Sequence, residues 1–177
     1  MLQNCAALYY PQHEAQCRHD NSDYAVFDGP DTVLEWGSGE IWADGKKRGD
    51  FKNARIRTAL RVSSPATVVV RKSQYRGSLD SPLKDRLLRQ IKRDAEGYLI
   101  PVVMISHADI RRAFQLPRRA SKYRVASVIA QRFPELRLKL PAERRAWEPE
   151  LHSMIIFDAI AVGLAYLQPD GVSAPPE

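Results

Sequence analysis

Cysteine is almost missing from this chain: Cys5 and Cys17 are the only two in 177 residues. Two thiols near one end can build neither a disulfide framework nor a zinc site. His13 and His19 flank Cys17, but their spacing contains no ligand pair of the kind zinc requires. Long apolar runs are missing too. The best candidate, Met154 to Leu167, is interrupted by Asp158 and falls short of the roughly 18 uncharged residues of a membrane span. The first residues lack a basic region followed by an apolar stretch and a small-residue cleavage site, so no secretory signal is expected. Internal repeats and a low-complexity core are absent as well. Together these absences lead to the expectation of a cytoplasmic protein with no membrane association.

What is present is ordinary in amount and unusual in arrangement. An apolar fraction of 44% and a charged fraction of 27% suit a globular domain, expected to span residues 1–168 with a disordered tail over 169–177. The net charge is +6. The cations cluster between Lys46 and Arg61, between Lys84 and Arg93, and between Arg111 and Arg124. Solvated helix faces would explain any one such cluster; three in a small domain favour a polyanionic partner, most often nucleic acid.

The pattern along the chain predicts an α/β fold. Residues 1–23 read as an atypical first segment, with a strand near Ala6 to Tyr10 and a patternless polar stretch from Gln12 to Asp23. Tyr24 to Phe27 and Thr32 to Trp36 flank Asp28-Gly29-Pro30, a hairpin signature, and Gly37 to Gly39 reads as a break. Lys52 to Arg61 has helical character, stopped by Ser63-Ser64-Pro65. Ala66 to Val70 is a wholly apolar, largely β-branched run, the mark of a strand buried on both faces. A helix over Leu83 to Glu96, a strand over Tyr98 to Ile105, and helices over His107 to Phe114 and Ser121 to Phe133 follow. Pro134 to Arg145 is a connector, and Pro149 suits the first turn of a final apolar helix. The expectation is a mixed sheet, opening with an antiparallel hairpin and covered by helices.

Asp158 is the anomaly in that last helix. At 3.6 residues per turn Leu151, Ile155, Val162 and Ala165 share its face. An unpaired ionised carboxylate in such a stripe costs several kcal/mol. The chain must supply a metal, a cation, a hydrogen-bond network or a cleft.

Several segments, in order, carry a resemblance. They are Tyr24-Ala25-Val26-Phe27 with Leu34-Glu35-Trp36-Gly37, then Val68-Val69-Val70, then Ser121-Lys122-Tyr123 through Phe133-Pro134-Glu135-Leu136, and finally Phe157-Asp158-Ala159. From Tyr24 to Leu167 the sequence resembles RuvC-like Holliday-junction resolvases of the RNase H-like superfamily. The resemblance implies an RNase H-like sheet, a homodimer, branched or double-stranded DNA as partner, and Mg²⁺-dependent phosphodiester hydrolysis by a cluster of carboxylates. It places Asp158 as a last-helix metal ligand and catalytic residue.

The sequence departs from the family where the other acids should be. Arg71 stands directly after Val70, in place of the central-strand acid, and Tyr9-Tyr10-Pro11 replaces the first-strand acid turn. One turn before Asp158 stand Met154 and Ile155. Asp20 and Asp23 are substitutes for the first-strand acid only if the loop folds back. Glu150, a candidate metal ligand, also suits a helix first turn, where acids complement the dipole. His152 is a candidate catalytic residue or a plain surface histidine. Arg71 cannot ligate Mg²⁺ and is expected either to pair with Asp158 or, like Lys72, Tyr75, Arg76, Arg118, Arg119 and Lys122, to contact DNA. Three readings follow: a structure-selective endonuclease, a nucleic-acid-binding module that has lost catalysis, or an interaction protein whose basic surface is incidental.

Overall fold

The computed structural model describes residues 4–9, 20–41, 54–72, 82–117, 120–143 and 153–172. Five strands, β1 (Asn4–Tyr9), β2 (Asp20–Asp28), β3 (Val33–Ile41), β4 (Thr67–Arg71) and β5 (Val102–Ile105), form one sheet in the order β3-β2-β1-β4-β5. β1 runs antiparallel to β2 and parallel to β4, β2 antiparallel to β3, and β4 parallel to β5. This is a mixed sheet that opens with antiparallel strands, as expected.

Alternation along the strands divides the core into two layers. Cys5, Ala7, Ala25, Phe27 and Val69 pack beneath α3 (His107–Ala113), α4 (Lys122–Arg132) and α5 (Ser153–Leu167). Ala6, Leu8, Tyr24, Val26, Val68 and Val70 pack against Leu60 of α1 (Ala54–Ser63) and Ile91 and Ala95 of α2 (Pro82–Gly97). The apolar run in β4 is buried on both faces, the reason it lacks polar alternation. Burial pushes the Cys5 thiol up to about 12, so it is a packing residue and no nucleophile.

Four segments differ from the sequence expectation. β2 begins at Asp20, because its polar first residues pair with β3 as far as Asp20 opposite Ile41. β3 runs through Gly37 to Gly39 without a break: Gly37 lies opposite Tyr24, and a Cβ there would come within 3.2 Å of the Tyr24 ring. β5 starts only at Val102, since Leu99 takes a positive φ of 58° and Pro101 follows. After α5 the chain turns back instead of leaving the core: Val172 is buried and its N–H donates to the Ala113 carbonyl at 2.6 Å. The connector after α4 holds a 3₁₀ turn, Pro134–Lys139, with Leu136 buried.

α5 is buried nearly all round and lies close on the sheet. Gly163 permits this approach, because a Cβ at that position would sit 2.2 Å from the ring of Phe27.

Candidate functional site

The site forms where strand ends meet helix starts. Residues 69 and 71 of β4 share one face, and Val69 lies under the α5 layer, so Arg71 at the end of β4 belongs to the same side. In β2 the same alternation groups Asp23 with Ala25 and Phe27. Asp23 is paired in register with Tyr9 of β1, the position next to which the resemblance calls for an acid.

Three helices complete the surroundings. α3 is opened by a capping box: the Asp109 N–H donates to Ser106 Oγ at 3.2 Å, and the Ser106 N–H donates to Asp109 Oδ2 at 2.9 Å. The Ser106 hydroxyl and N–H hold the Asp109 carboxyl below its usual range. This fixes the first turn of α3, and His107 and Arg111, four residues apart, share a helix face. α4 begins at Ser121, whose Oγ accepts the Arg124 N–H. The next residue, Lys122, donates from Nζ to Asp158 Oδ2 of α5 at 2.9 Å.

Arg71, His107, Arg111, Ser121, Lys122 and Asp158 line a pocket of about 450 Å³, with Ile110, Leu116 and Val125 supplying apolar wall. It opens beyond the C-terminal end of β4, the usual place for ligands in sheets with parallel strands. Burial, and then the charges of Arg71, Arg111 and Lys122, lower the His107 pKa below its ordinary value. Asp23 behaves oppositely. It is completely buried, neither carboxylate oxygen has a hydrogen-bond partner among the described residues, and burial followed by the charge of Asp158 pushes its pKa up to about 7.

Two Mg²⁺ ions need a cluster of hard oxygen ligands. Among the described residues no three of His, Cys, Asp and Glu stand close enough together to hold a metal ion. Of the two carboxylates that feel each other's charge, Asp23 is driven toward neutrality and Asp158 is paired with an ammonium. Arg71 adds a donor-only guanidinium. The described donor set does not fit a two-ion centre.

The structure thus gathers Asp158, Arg71 and Lys122 from the sequence candidates around one pocket. Lys72 follows β4, exposed, with its N–H on the Ile105 carbonyl at 2.7 Å, and does not line the pocket. Tyr75, Arg76, Arg118, Arg119, Glu150 and His152 lie outside the described residues. Sequence reasoning did not single out His107 as a site residue; Ser106 followed three residues later by Asp109 is the signal that would have marked it as the start of a capped helix. Arg111 was visible only as one cation in a cluster. Asp23 was weighed as a loop substitute, whereas it is a strand residue reached through the register of β1 and β2.

No family model matches the sequence, and no curated protein matches it. Solved structures do match. Thermus thermophilus RuvC in complex with a Holliday-junction substrate superposes with a TM-score of 0.66 at 16% identity, over 94% of this chain and 93% of that one. Thermus thermophilus RuvC in a second structure gives 0.62 at 16% identity, over 92% of each chain. The yeast mitochondrial Holliday-junction resolvase Ydc2 gives 0.51 at 11% identity, over 94% of this chain and 78% of that one. The chain therefore has the RNase H-like fold of RuvC along nearly its whole length.

Proposed function

We propose that this chain is a binding protein for branched or double-stranded DNA, built on the resolvase fold, that does not hydrolyse the strand it holds. The observation that carries this reading is the content of the pocket beyond β4. Among the described residues, Arg71, Arg111 and Lys122 converge there on a single lining carboxylate, Asp158, which is already paired with Lys122. Cations in such a cleft attract phosphate without activating water. The fold shared with a RuvC bound to a Holliday-junction substrate supports a junction as the DNA form to test. A two-fold homodimer is part of the same proposal, since a four-way junction offers symmetric arms to an isologous pair.

The test is binding of a four-way junction, a duplex and a single strand at several salt concentrations, with strand integrity followed in Mg²⁺ on gels. Each neutralised phosphate contributes about −0.9 to the slope of log K against log salt, so one phosphate held in the pocket gives a slope of about −1 and every further phosphate contact steepens it. Salt-dependent binding with intact strands is the expected outcome. Absence of binding would exclude the nucleic-acid reading. Mg²⁺-dependent incision abolished by both Asp23→Asn and Asp158→Asn would replace it with the endonuclease reading.

A further inference from the structure

The pocket has a charge composition that calls for a particular ligand group. Among the described residues its lining brings three cations from three different elements, Arg71 from β4, Arg111 from α3 and Lys122 from α4, around one carboxylate. Ile110, Leu116 and Val125 keep part of the wall apolar, which strengthens each charge relative to water. α4, an eleven-residue helix, starts at this wall with Ser121 and Lys122, so the positive end of its dipole adds to the same field.

His107 lies within that field. Its imidazole lines the pocket, and after burial the groups that disfavour its protonation are the three cations just named. A neutral imidazole offers one N–H donor and one acceptor. The donors among the described lining residues are two guanidinium forks, an ammonium, a hydroxyl and an imidazole N–H. That is a donor set for a tetrahedral oxyanion, since arginine forks match phosphate oxygens in pairs.

We propose that the pocket bounded by Arg71, His107, Arg111, Ser121 and Lys122 is a metal-free binding site for one phosphate group. As the site of a DNA phosphate it rests on the reading of the chain as a nucleic-acid binder; as a phosphate site it stands on its own lining. Two sources share this chemistry, an internal phosphodiester and a terminal phosphate at a strand end. The ammonium of Lys122 pairs with Asp158, which weakens the carboxylate's repulsion of the incoming anion. An anion bound at Arg71 and Arg111 lifts the suppression of the His107 proton.

The experiment titrates inorganic phosphate, and then tetranucleotides with and without a 5′-phosphate, into the full chain. Histidine resonances are followed by NMR against pH, with His107 assigned through His107→Gln. Bound phosphate is expected to shift the His107 resonances and to raise its pKa. Arg111→Ala and Arg71→Met should each weaken phosphate binding by about tenfold or more, the effect of losing one charged hydrogen-bond donor. Arg89→Ala, on an exposed position of α2, should leave binding unchanged. Thermal melts of each variant identify any that fail to fold, and Arg71→Lys serves as the second variant at β4.

Preference for the 5′-phosphorylated tetranucleotide supports the site with a strand end as its source; equal binding of the two supports it with an internal phosphodiester. His107 resonances that ignore phosphate, or equal affinity in folded Arg111→Ala, would overturn the proposal. If Arg111→Ala binds a four-way junction as well as the parent chain does, the pocket is wrong while the DNA reading stands. If phosphate binds here and no DNA form does, the pocket stands and the DNA reading falls.

Discussion

Two acids of the same type meet opposite fates within one site, and the difference lies in their neighbours. Asp158 is paired with the Lys122 ammonium at 2.9 Å. Asp23 is buried with no hydrogen-bond partner among the described residues, and its carboxyl titrates near 7 instead of 3.8. Because the folded state holds this proton more tightly than the unfolded chain, stability falls as pH rises from about 4 to about 7 and is level above that. Ionised Asp23 is thereby destabilised by about 4 kcal/mol at neutral pH. Asp23→Asn should therefore match the parent chain in urea melts near pH 4 and exceed it by a growing margin toward pH 7.5. A margin that stays constant with pH would show that Asp23 does not titrate in this range. At the same scale, Gly163→Ala sets a Cβ 2.2 Å from the fully buried Phe27 ring. Overpacking of this kind costs about 1–3 kcal/mol or more, and should lower the urea midpoint without changing the slope of the transition.

Among the elements, those written in local pattern were legible and those set by long-range pairing were not. β4 is visible because five residues carry the whole signal of burial on two faces. α3 and α4 lie where helices were expected, over His107 to Phe114 and Ser121 to Phe133, and the side chains of Ser106 and Ser121 cap their first turns. The first four residues of β2 are polar, and their partners in β3, with Tyr9 of β1 opposite Asp23, make them a strand. Gly37 and Gly39 look like a turn in sequence, yet they pair with Tyr24 and Ser22 across the sheet. The site follows the same rule. Asp158 stood out because an acid in an apolar helix is a local contradiction. Asp23, His107 and Arg111 carry no such contradiction, and they join the site only through strand register and the packing of three helices on the sheet.

For the molecule as a whole, the layer of α3, α4 and α5 bears the pocket, while α1 and α2 cover the opposite face. α1 and α2 are tied to each other by Arg57 Nε and Asp94 Oδ2 at 3.0 Å, and the exposed Arg61, Arg89, Lys92 and Arg93 lie in these two helices. The basic clusters of the sequence are thus divided between two faces. No described helix is long and apolar enough to cross a membrane.

The return of the chain after α5 has a reach beyond its own few residues. α3 has only seven residues, too few to persist as a helix without tertiary support. Part of that support is the Val172 N–H on the Ala113 carbonyl at 2.6 Å, together with the burial of the Val172 side chain. Removal of residues 169–177 should speed hydrogen exchange in α3 while leaving the amides of α2 unchanged. The end of the described chain works as a latch on the helix that carries His107 and Arg111. A proteolytic cut or fusion at that end would act on the affinity of a pocket it never touches.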